Sequence, residues 1–564
     1  MSKSDAERGP PAARPPTLVV AGFSLPDQSS HFFNELLGYK TAAEALGWTP
    51  KLFVPRTADP GLAAQLAASA VLAPRPALPG FGAGEVAGCL DAFFAAAESL
   101  AGLWTAIEAD ELTSKDAILF PEDHPVLIRA AGLWLDGRAP GYRPAIFFRF
   151  VGNPLNSATG QPTAHTPFYR LASRDLRARA AHERVFFLVN NSAMARAVTR
   201  VCSRRVFLTP MPKFMPDVPQ AAAPKQTTIY IHLNERSGRL LTELSALIRR
   251  VLQFDPSIRF MVKFTLNAAA RAAPLDRDVA FAVEMIPAEQ EPAAYLTNFS
   301  RCTLVLLAYE AEPYTVITSG VCAEAVVFGK PIVVPAGTTM ALDIANGRGA
   351  GIEFASADPE HVAVALIEAL RSGPRLQTAA RGIAQRTPKE HSCLRVIERM
   401  LALARGQHDM EPRYSLGEQI DFGNYCDCRC FMRGGWGETE GWGAWTVGPQ
   451  AELELRFEET PVEAMRLKVL AHPYLTAGHP RTRVSVSVEG QLMAEWVFAV
   501  DDAHGTEPRE CEAIIPARSR DAGPLRIAFS VDKPASPLAL GLSADRRELG
   551  LGVSKLWLSA AGAK

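Results

Sequence analysis

The sequence predicts two α/β domains, each built on a parallel sheet, followed by an all-β sandwich, and three observations carry that expectation. From residue 17 to about residue 206, short apolar runs alternate with longer amphipathic segments, the pattern that strand-helix-strand units produce. After a proline-rich interruption the alternation restarts and continues to about residue 405. Beyond residue 410 helical periodicity vanishes, and short alternating segments separated by Gly, Pro and Asp take its place.

In the first domain the apolar runs predict strands at residues 17–22, 117–120, 145–150 and 185–189. Helices at 89–107 and 125–135 follow from apolar residues recurring at three- and four-residue steps. Pro210, Pro212, Pro216, Pro219 and Pro224 remove too many N–H donors for a helix or central strand, so the interdomain linker is placed there. The second domain opens with a strand at 228–233 and a helix from about Ser237, whose Leu240, Leu244, Leu247 and Val251 fall on one face. Further strands are expected at 259–264, 281–286, 303–308 and 331–334, with helices near 292–299, 320–328 and 359–370. In the last domain, segments 452–457, 466–471, 484–489 and 525–531 suit a jelly-roll or similar sandwich. The expected boundaries are a flexible arm over 1–16, α/β domains over 17–215 and 216–405, and a sandwich over 411–564.

Composition narrows the function. Hydrophobic residues make up 48% and charged residues 21%, which excludes a largely disordered or collagenous chain. With 59 basic and 60 acidic residues the net charge is -1, so the basic footprint of a nucleic-acid binder is missing and no nucleic-acid partner is expected. No run approaches the roughly 18 apolar residues of a membrane-spanning helix. The charged, Pro-rich start lacks the apolar core of a secretory signal, which favours the cytoplasm. Nine cysteines, an odd number scattered through a long chain, fit reduced thiols better than a disulfide framework.

The most informative stretch runs from Glu312-Pro-Tyr-Thr-Val-Ile-Thr318-Ser319-Gly320-Val321-Cys-Ala-Glu324 to Gly329-Lys330-Pro331 and on to Pro335. It reads as strand, loop, helix, strand. Thr318 or Ser319 can cap the helix, whose unpaired first-turn amides suit a phosphate or diphosphate. Gly320 permits close approach, and Glu324, one turn on, can accept hydrogen bonds from two vicinal hydroxyls such as those of a ribose. The plainer alternative is a structural cap and a carboxylate that neutralises the early helix dipole.

Ser319-Gly320-Val321 through Glu324-Ala325, with Gly329-Lys330-Pro331, resembles the donor-binding signature of retaining glycosyltransferases of the two-Rossmann-domain (GT-B) class, the family 4 group among them. The resemblance implies that Glu324 holds the nucleotide ribose and the helix amides hold the diphosphate. It also implies an Arg and a Lys that neutralise the leaving diphosphate, with no cofactor and no mandatory metal. Arg236, in the loop after the first strand of domain two, and Lys263, near the end of the 259–264 strand, are the candidates; solvated surface cations are the alternative. Ser237 stands where the family often has Lys. A second glutamate usually lies eight residues before the ribose-binding one, but Val316 occupies that place. Glu312 or Glu310 from the same loop, a different sugar contact, or lost activity are the readings this leaves. The loop from Pro335 through Gly337, Thr338 and Thr339 to Met340 is similar to one that approaches the sugar. From the first domain, His124, Glu122 and Arg149 stand at strand ends, as candidate catalytic or acceptor contacts. Retention in this family proceeds by attack on the face that the nucleotide leaves, with no enzyme nucleophile.

Gly434-Gly-Trp436 through Trp442 and Trp445, together with Ser536-Pro537 to Arg547, resembles β-sandwich modules of bacterial envelope-polysaccharide enzymes. Trp436, Trp442 and Trp445 are candidates for glycan contact by ring stacking, with core packing as the alternative. Cys426, Cys428 and Cys430 would share one face of a strand, but nothing completes a four-ligand metal site. Asp501-Asp502 lies in a sandwich loop, far along the chain from the helix signature. The expectation is a hexosyltransferase moving a sugar from a nucleotide-sugar donor to a glycan or lipid-linked acceptor in surface polysaccharide assembly. A non-catalytic carbohydrate-binding or assembly protein on the same scaffold, and a nucleotide-sugar epimerase, are the alternatives. Peripheral contact with the inner face of the membrane would suit a lipid-linked acceptor, though no basic amphipathic helix argues for it.

Overall fold

The computed structural model describes residues 14–23, 31–73, 86–155, 161–212, 226–288, 290, 292–312, 314–407, 413–423, 427–457, 460–501 and 507–562. Chain contacts divide it into two compact units, Met1–Met194 with Thr209–His408, and Ala195–Leu208 with Asp409–Lys564. Pro216, Pro219 and Pro224 of the expected linker lie outside the described residues.

The first unit holds two Rossmann-like halves. In the first half β1 (Thr17–Ala21), β2 (Thr49–Pro55), β3 (Ser69–Leu72), β4 (Ala117–Phe120), β5 (Ala145–Arg149) and β6 (Val185–Val189) run parallel in the order β3-β2-β1-β4-β5-β6. The strands β1, β4, β5 and β6 are buried along their whole length, because helices cover both faces and every residue meets apolar neighbours. Aromatic rings fill the rows between strands: Phe120 stacks on Phe148 at 4.9 Å and Phe147 on Phe186 at 5.0 Å. The next strand, β7 (Val206–Leu208), belongs to the second unit.

The second half repeats the plan with β8 (Thr228–Leu233), β9 (Arg259–Phe264), β10 (Val283–Ile286), β11 (Leu304–Leu307), β12 (Ile332–Pro335) and β13 (Gly351–Phe354), all parallel in the order β10-β9-β8-β11-β12-β13. Strand order therefore reverses between β1 and β4 in one sheet and between β8 and β11 in the other, and at such points the connecting loops diverge to leave a crevice beyond the carboxyl ends. The helix Cys393–Ala404 closes the unit by packing on His31–Ala45, with the Cys393 thiol 3.9 Å from the Glu35 carbonyl oxygen.

Three sequence expectations shift. The helix expected from Ser237 starts at Leu240, because Ser237 Oγ accepts from the Asn234 N–H and Gly238 sits at φ +52°, which makes a turn. The single helix expected over 89–107 is two, Val86–Ser99 and Ala101–Ala106. The strand expected from 281 begins at Val283.

The second unit is a sandwich. One sheet runs Arg413–Tyr414, Gln450–Phe457, Leu525–Val531, Arg481–Val488, Gln491–Ala499, and the other Trp436–Thr439, Ala444–Val447, Leu549–Ala560, Met465–Pro473, Arg509–Ile515. Alternation is strict where both partners are regular: Leu525, Ile527, Phe529 and Val531 point inward to meet Leu467, Val469 and Ala471. Cys428 and Cys430 lie in a 3-10 turn, Asp427–Cys430, rather than on a strand, and both are buried; Cys426 lies outside the described residues, as does Asp502. Among the described residues no group of three His, Cys, Asp or Glu is placed to hold a metal, and no helix is long and apolar enough to cross a membrane.

Candidate functional site

Strand order puts the crevice of the second sheet beyond the ends of β8 and β11, where interlocked loops meet. After β8, the Asn234 Oδ1 accepts from the Arg236 N–H at 2.9 Å, while its Nδ2 donates to the Tyr314 hydroxyl at 3.0 Å. After β11, the Glu310 N–H donates to the Arg236 carbonyl at 2.8 Å. Gly238, at φ +52°, takes the left-handed backbone that favours glycine, beside the Glu310 side chain. The exposed Arg236 guanidinium sits 6.0 Å from the centre of the Tyr314 ring, held over the crevice by backbone on both sides.

Beneath those loops the core is polar. His232, on β8, is buried and its Nδ1 shares a hydrogen bond of 2.9 Å with the Tyr309 hydroxyl, and Tyr309 also bonds Ser319. Burial first, and the Lys263 charge second, lower the His232 pKa to about 3, so the ring is neutral at physiological pH. Lys263, one strand over on β9, is half-buried; burial lowers its pKa and Glu324 works against that shift. Lys263 and Glu324, expected from the sequence to serve one ligand, thus lie within electrostatic reach of each other.

The helix Gly320–Val327 begins at this crevice. Ser319 is its N-cap, with Oγ accepting from the Cys322 N–H at 3.2 Å, so of the two candidate caps it is Ser319 that closes the first turn. Thr318 bonds elsewhere: Asn191 Nδ2, just beyond β6, donates to its Oγ1 at 3.0 Å and to the Val316 carbonyl at 2.9 Å. Val321 is half-buried against the core, and Glu324 is half-buried one turn on. Glu310 and Glu312 are both exposed on the preceding loop. The loop after β12 turns at Gly337, φ +71°, and Thr338 caps the helix Thr339–Ala345. Thr339 Oγ1 donates to the Ile317 carbonyl at 2.9 Å, so this loop is fastened to the one that carries Thr318.

The switch point of the first sheet is built differently. Glu122, Asp123 and His124 follow β4, and all three are buried. Asp123 accepts from the Tyr169 hydroxyl and, at 3.2 Å, from the Val151 N–H. His124 is the N-cap residue of Pro125–Asp136 without a side-chain cap bond. Arg149, at the end of β5, pairs with Glu35 at 2.6 Å and donates to the Pro121 carbonyl at 3.2 Å; both partners of the pair are buried. Burial works against the guanidinium charge, but Glu35 more than offsets it, and its pKa rises.

The sequence singled out Arg236, Lys263, Ser319, Gly320 and Glu324, and the structure gathers them at one crevice. His124 and Arg149 belong to the other sheet, at its own switch point. Sequence reasoning passed over His232, Tyr309, Tyr314 and Asn191. Tyr314 stood in the informative stretch itself, whereas Asn190-Asn191, directly after the buried run of β6, had only its place at a strand end to mark it.

In the sandwich, Trp436 donates from Nε1 to the Glu452 carbonyl at 2.8 Å and packs on Phe422 and Phe529. Trp442 and Trp445 sit elsewhere, 5.1 Å apart and half-exposed.

No protein-family model and no curated protein sequence matches the chain. Among solved structures it is similar to the glycotransferase of kitacinnamycin, at 16% identity and TM-score 0.44, covering 69% of this chain and 100% of the other. A glycosyltransferase from Rickettsia africae aligns at 11% identity and TM-score 0.43, covering 70% and 98%. The glycosyltransferase VinC, solved in complex with DTDP, aligns at 12% identity and TM-score 0.39, covering 69% and 100%.

Proposed function

We propose that this protein is a glycosyltransferase that binds a nucleotide-sugar donor at the β8/β11 crevice and transfers the sugar to a glycan or lipid-linked acceptor. The observation that carries the reading is the convergence there of a Ser319-capped helix start, the exposed Arg236, and the coupled pair Lys263 and Glu324. Helix amides and two cations suit a diphosphate; a half-buried carboxylate one turn along suits the vicinal hydroxyls of a ribose. Positive charge at the diphosphate stabilises it as a leaving group, which is the electrostatic part of the catalysis. Glu312 and Glu310, exposed on the loop before the helix, are the carboxylates in reach of the sugar end, and His124 is the first-domain candidate for the acceptor side. Retention of anomeric configuration and a role in bacterial surface polysaccharide assembly complete the proposal, on the sequence resemblance alone.

Calorimetric titration of UDP-, GDP-, ADP- and TDP-sugars without metal tests it. One of the four should bind saturably, and Glu324→Gln should weaken it by ~10- to 100-fold, the loss of hydrogen bonds to a charged acceptor. A folded wild type that binds none of them would replace catalysis with a sugar-binding scaffold.

A further inference from the structure

The outer face of the sandwich sheet that contains Leu549–Ala560 carries a group of rings that its core does not use. Trp445 and His472 are both register partners of Gly552, one on each side of the central strand, so the three share one face. Trp442 folds in from the turn before Ala444–Val447, bringing its ring 4.5 Å from His472 and 5.1 Å from Trp445. Tyr474 follows 5.7 Å from Trp445, and the rings stand edge to face, at 71° between Trp442 and Trp445 and 87° between Trp445 and Tyr474.

Gly552 makes the arrangement possible. A Cβ there would lie 2.7 Å from Trp442 Cη2 and 2.8 Å from His472 Cε1, so only a glycine lets the rings lie across the strand. All four rings are half-exposed, unlike the inward side chains of the same strands. Polar groups stand at the edge: Glu440 accepts from Trp442 Nε1 at 3.0 Å, and Arg547 bonds Asp545 at 2.6 Å and Glu440 at 3.3 Å. Under the rings, His472 Nδ1 is buried and makes no hydrogen bond among the described residues. Burial keeps that imidazole below its ordinary pKa, with Glu507 acting in the opposite direction.

We infer that this face is a binding platform for an uncharged pyranose unit of a glycan chain, in which the sugar stacks on one indole face and meets the neighbouring rings from the side, with Glu440, Asp545 and Arg547 as the hydroxyl-binding edge. The chemistry that selects a sugar is the combination of the two. The C–H face of a pyranose is apolar and weakly positive, which the negative faces of indole and phenol rings attract. Its equatorial hydroxyls need planar acceptors and donors at the margin, and a carboxylate-guanidinium-carboxylate row supplies both. An apolar surface with a few fixed polar groups is also the general composition of a small-ligand site. Charge decides the class of sugar: two carboxylates to one guanidinium leave the edge net negative, which repels a uronate polymer. The platform lies in the second unit and shares no residue with the β8/β11 crevice, so it stands whether or not the donor reading does.

Tryptophan fluorescence of the full chain, titrated with cellohexaose, maltohexaose, chitohexaose and polygalacturonate, tests it. At least one neutral hexaose should give a saturable change, and polygalacturonate none. Trp442→Ala and Trp445→Ala should each weaken the binding more than tenfold while the far-ultraviolet circular dichroism of the chain stays at its wild-type value. Arg547→Met, which leaves every ring in place, should weaken it several-fold and serves as the readout if a Trp variant loses its fold. Silence from all three neutral hexaoses, binding that survives in both Trp variants, or preference for polygalacturonate would overturn the platform.

Discussion

The two parallel sheets of the first unit are wound alike, yet their switch points carry opposite chemistry. Beyond β1 and β4, Glu122, Asp123 and His124 are buried, Asp123 is bonded by Tyr169 and Val151, and the Arg149 cation is sealed against Glu35. Beyond β8 and β11, Arg236 is exposed, Lys263 and Glu324 are half-buried, and a capped helix starts at the crevice. Topology creates a crevice at both places, but the depth of the charges decides what each can do. A buried, partnered charge serves the fold, and a charge held at the surface by backbone on either side is available to a ligand.

The contrast is broken most directly at Arg149. Arg149→Met leaves Glu35 buried without its cation and should cost about 3–5 kcal/mol in urea unfolding. Adding Glu35→Leu should restore much of that loss, since the pair is then replaced rather than halved. Arg236→Ala, by comparison, should change stability by less than ~0.5 kcal/mol and weaken nucleotide-sugar binding by about tenfold. An Arg149→Met protein as stable as wild type would erase the distinction between the two switch points.

A second difference is legible in pH. His232 is protonated in the unfolded chain below about 6.5 but stays neutral in the fold until about 3. The unfolded state therefore binds the extra proton across that window, and stability falls as pH drops through it, by about 1.4 kcal/mol per unit or about 2 kcal/mol between pH 6.5 and 5. His232→Gln keeps a partner for Tyr309 without a titrating ring and should flatten that slope. An unchanged slope would mean that other groups govern the acid limb.

Burial also explains what the sequence revealed. The strands β4, β6, β8 and β9 were placed at their observed ends because each is a short apolar run between clear breaks. The strands β2, β3 and β13 give weaker signals: the apolar run Leu52–Pro55 of β2 follows Thr-Pro-Lys and ends in a proline, β3 has only Leu72 buried and β13 only Phe354. The longest strand of the sandwich, Leu549–Ala560, was missed for a more instructive reason. Its Gly550 and Gly552 read as breaks, yet a Cβ at Gly550 would sit 2.8 Å from Thr446 Oγ1, and Gly552 makes room for the rings. In the crevice, Glu324 and Ser319 could be found because they sit on a helix start with a recognisable pattern. Asn191 and Tyr309 could not, because their roles come from contacts 125 and 77 residues away.

The finest test of the two-crevice picture is the link between the halves at Asn191. Its Oδ1 accepts from the Met194 N–H at 2.8 Å, capping the helix Ser192–Cys202, and its Nδ2 reaches the loop ahead of the Ser319 cap. That loop carries Val316 where a carboxylate is usual in the resembling family, and it is the Val316 backbone oxygen, not its side chain, that receives a bond. Asn191→Asp retains the cap and removes the donor, so it should leave stability near wild type while speeding amide exchange over residues 316–320 and lowering nucleotide-sugar affinity a few-fold. Asn191→Ala removes the cap as well as the donor and should cost a further ~1 kcal/mol, the usual loss of an N-cap. If exchange over 316–320 is the same in Asn191→Asp as in wild type, the first half does not position the loop of the second, and the second crevice is complete by itself.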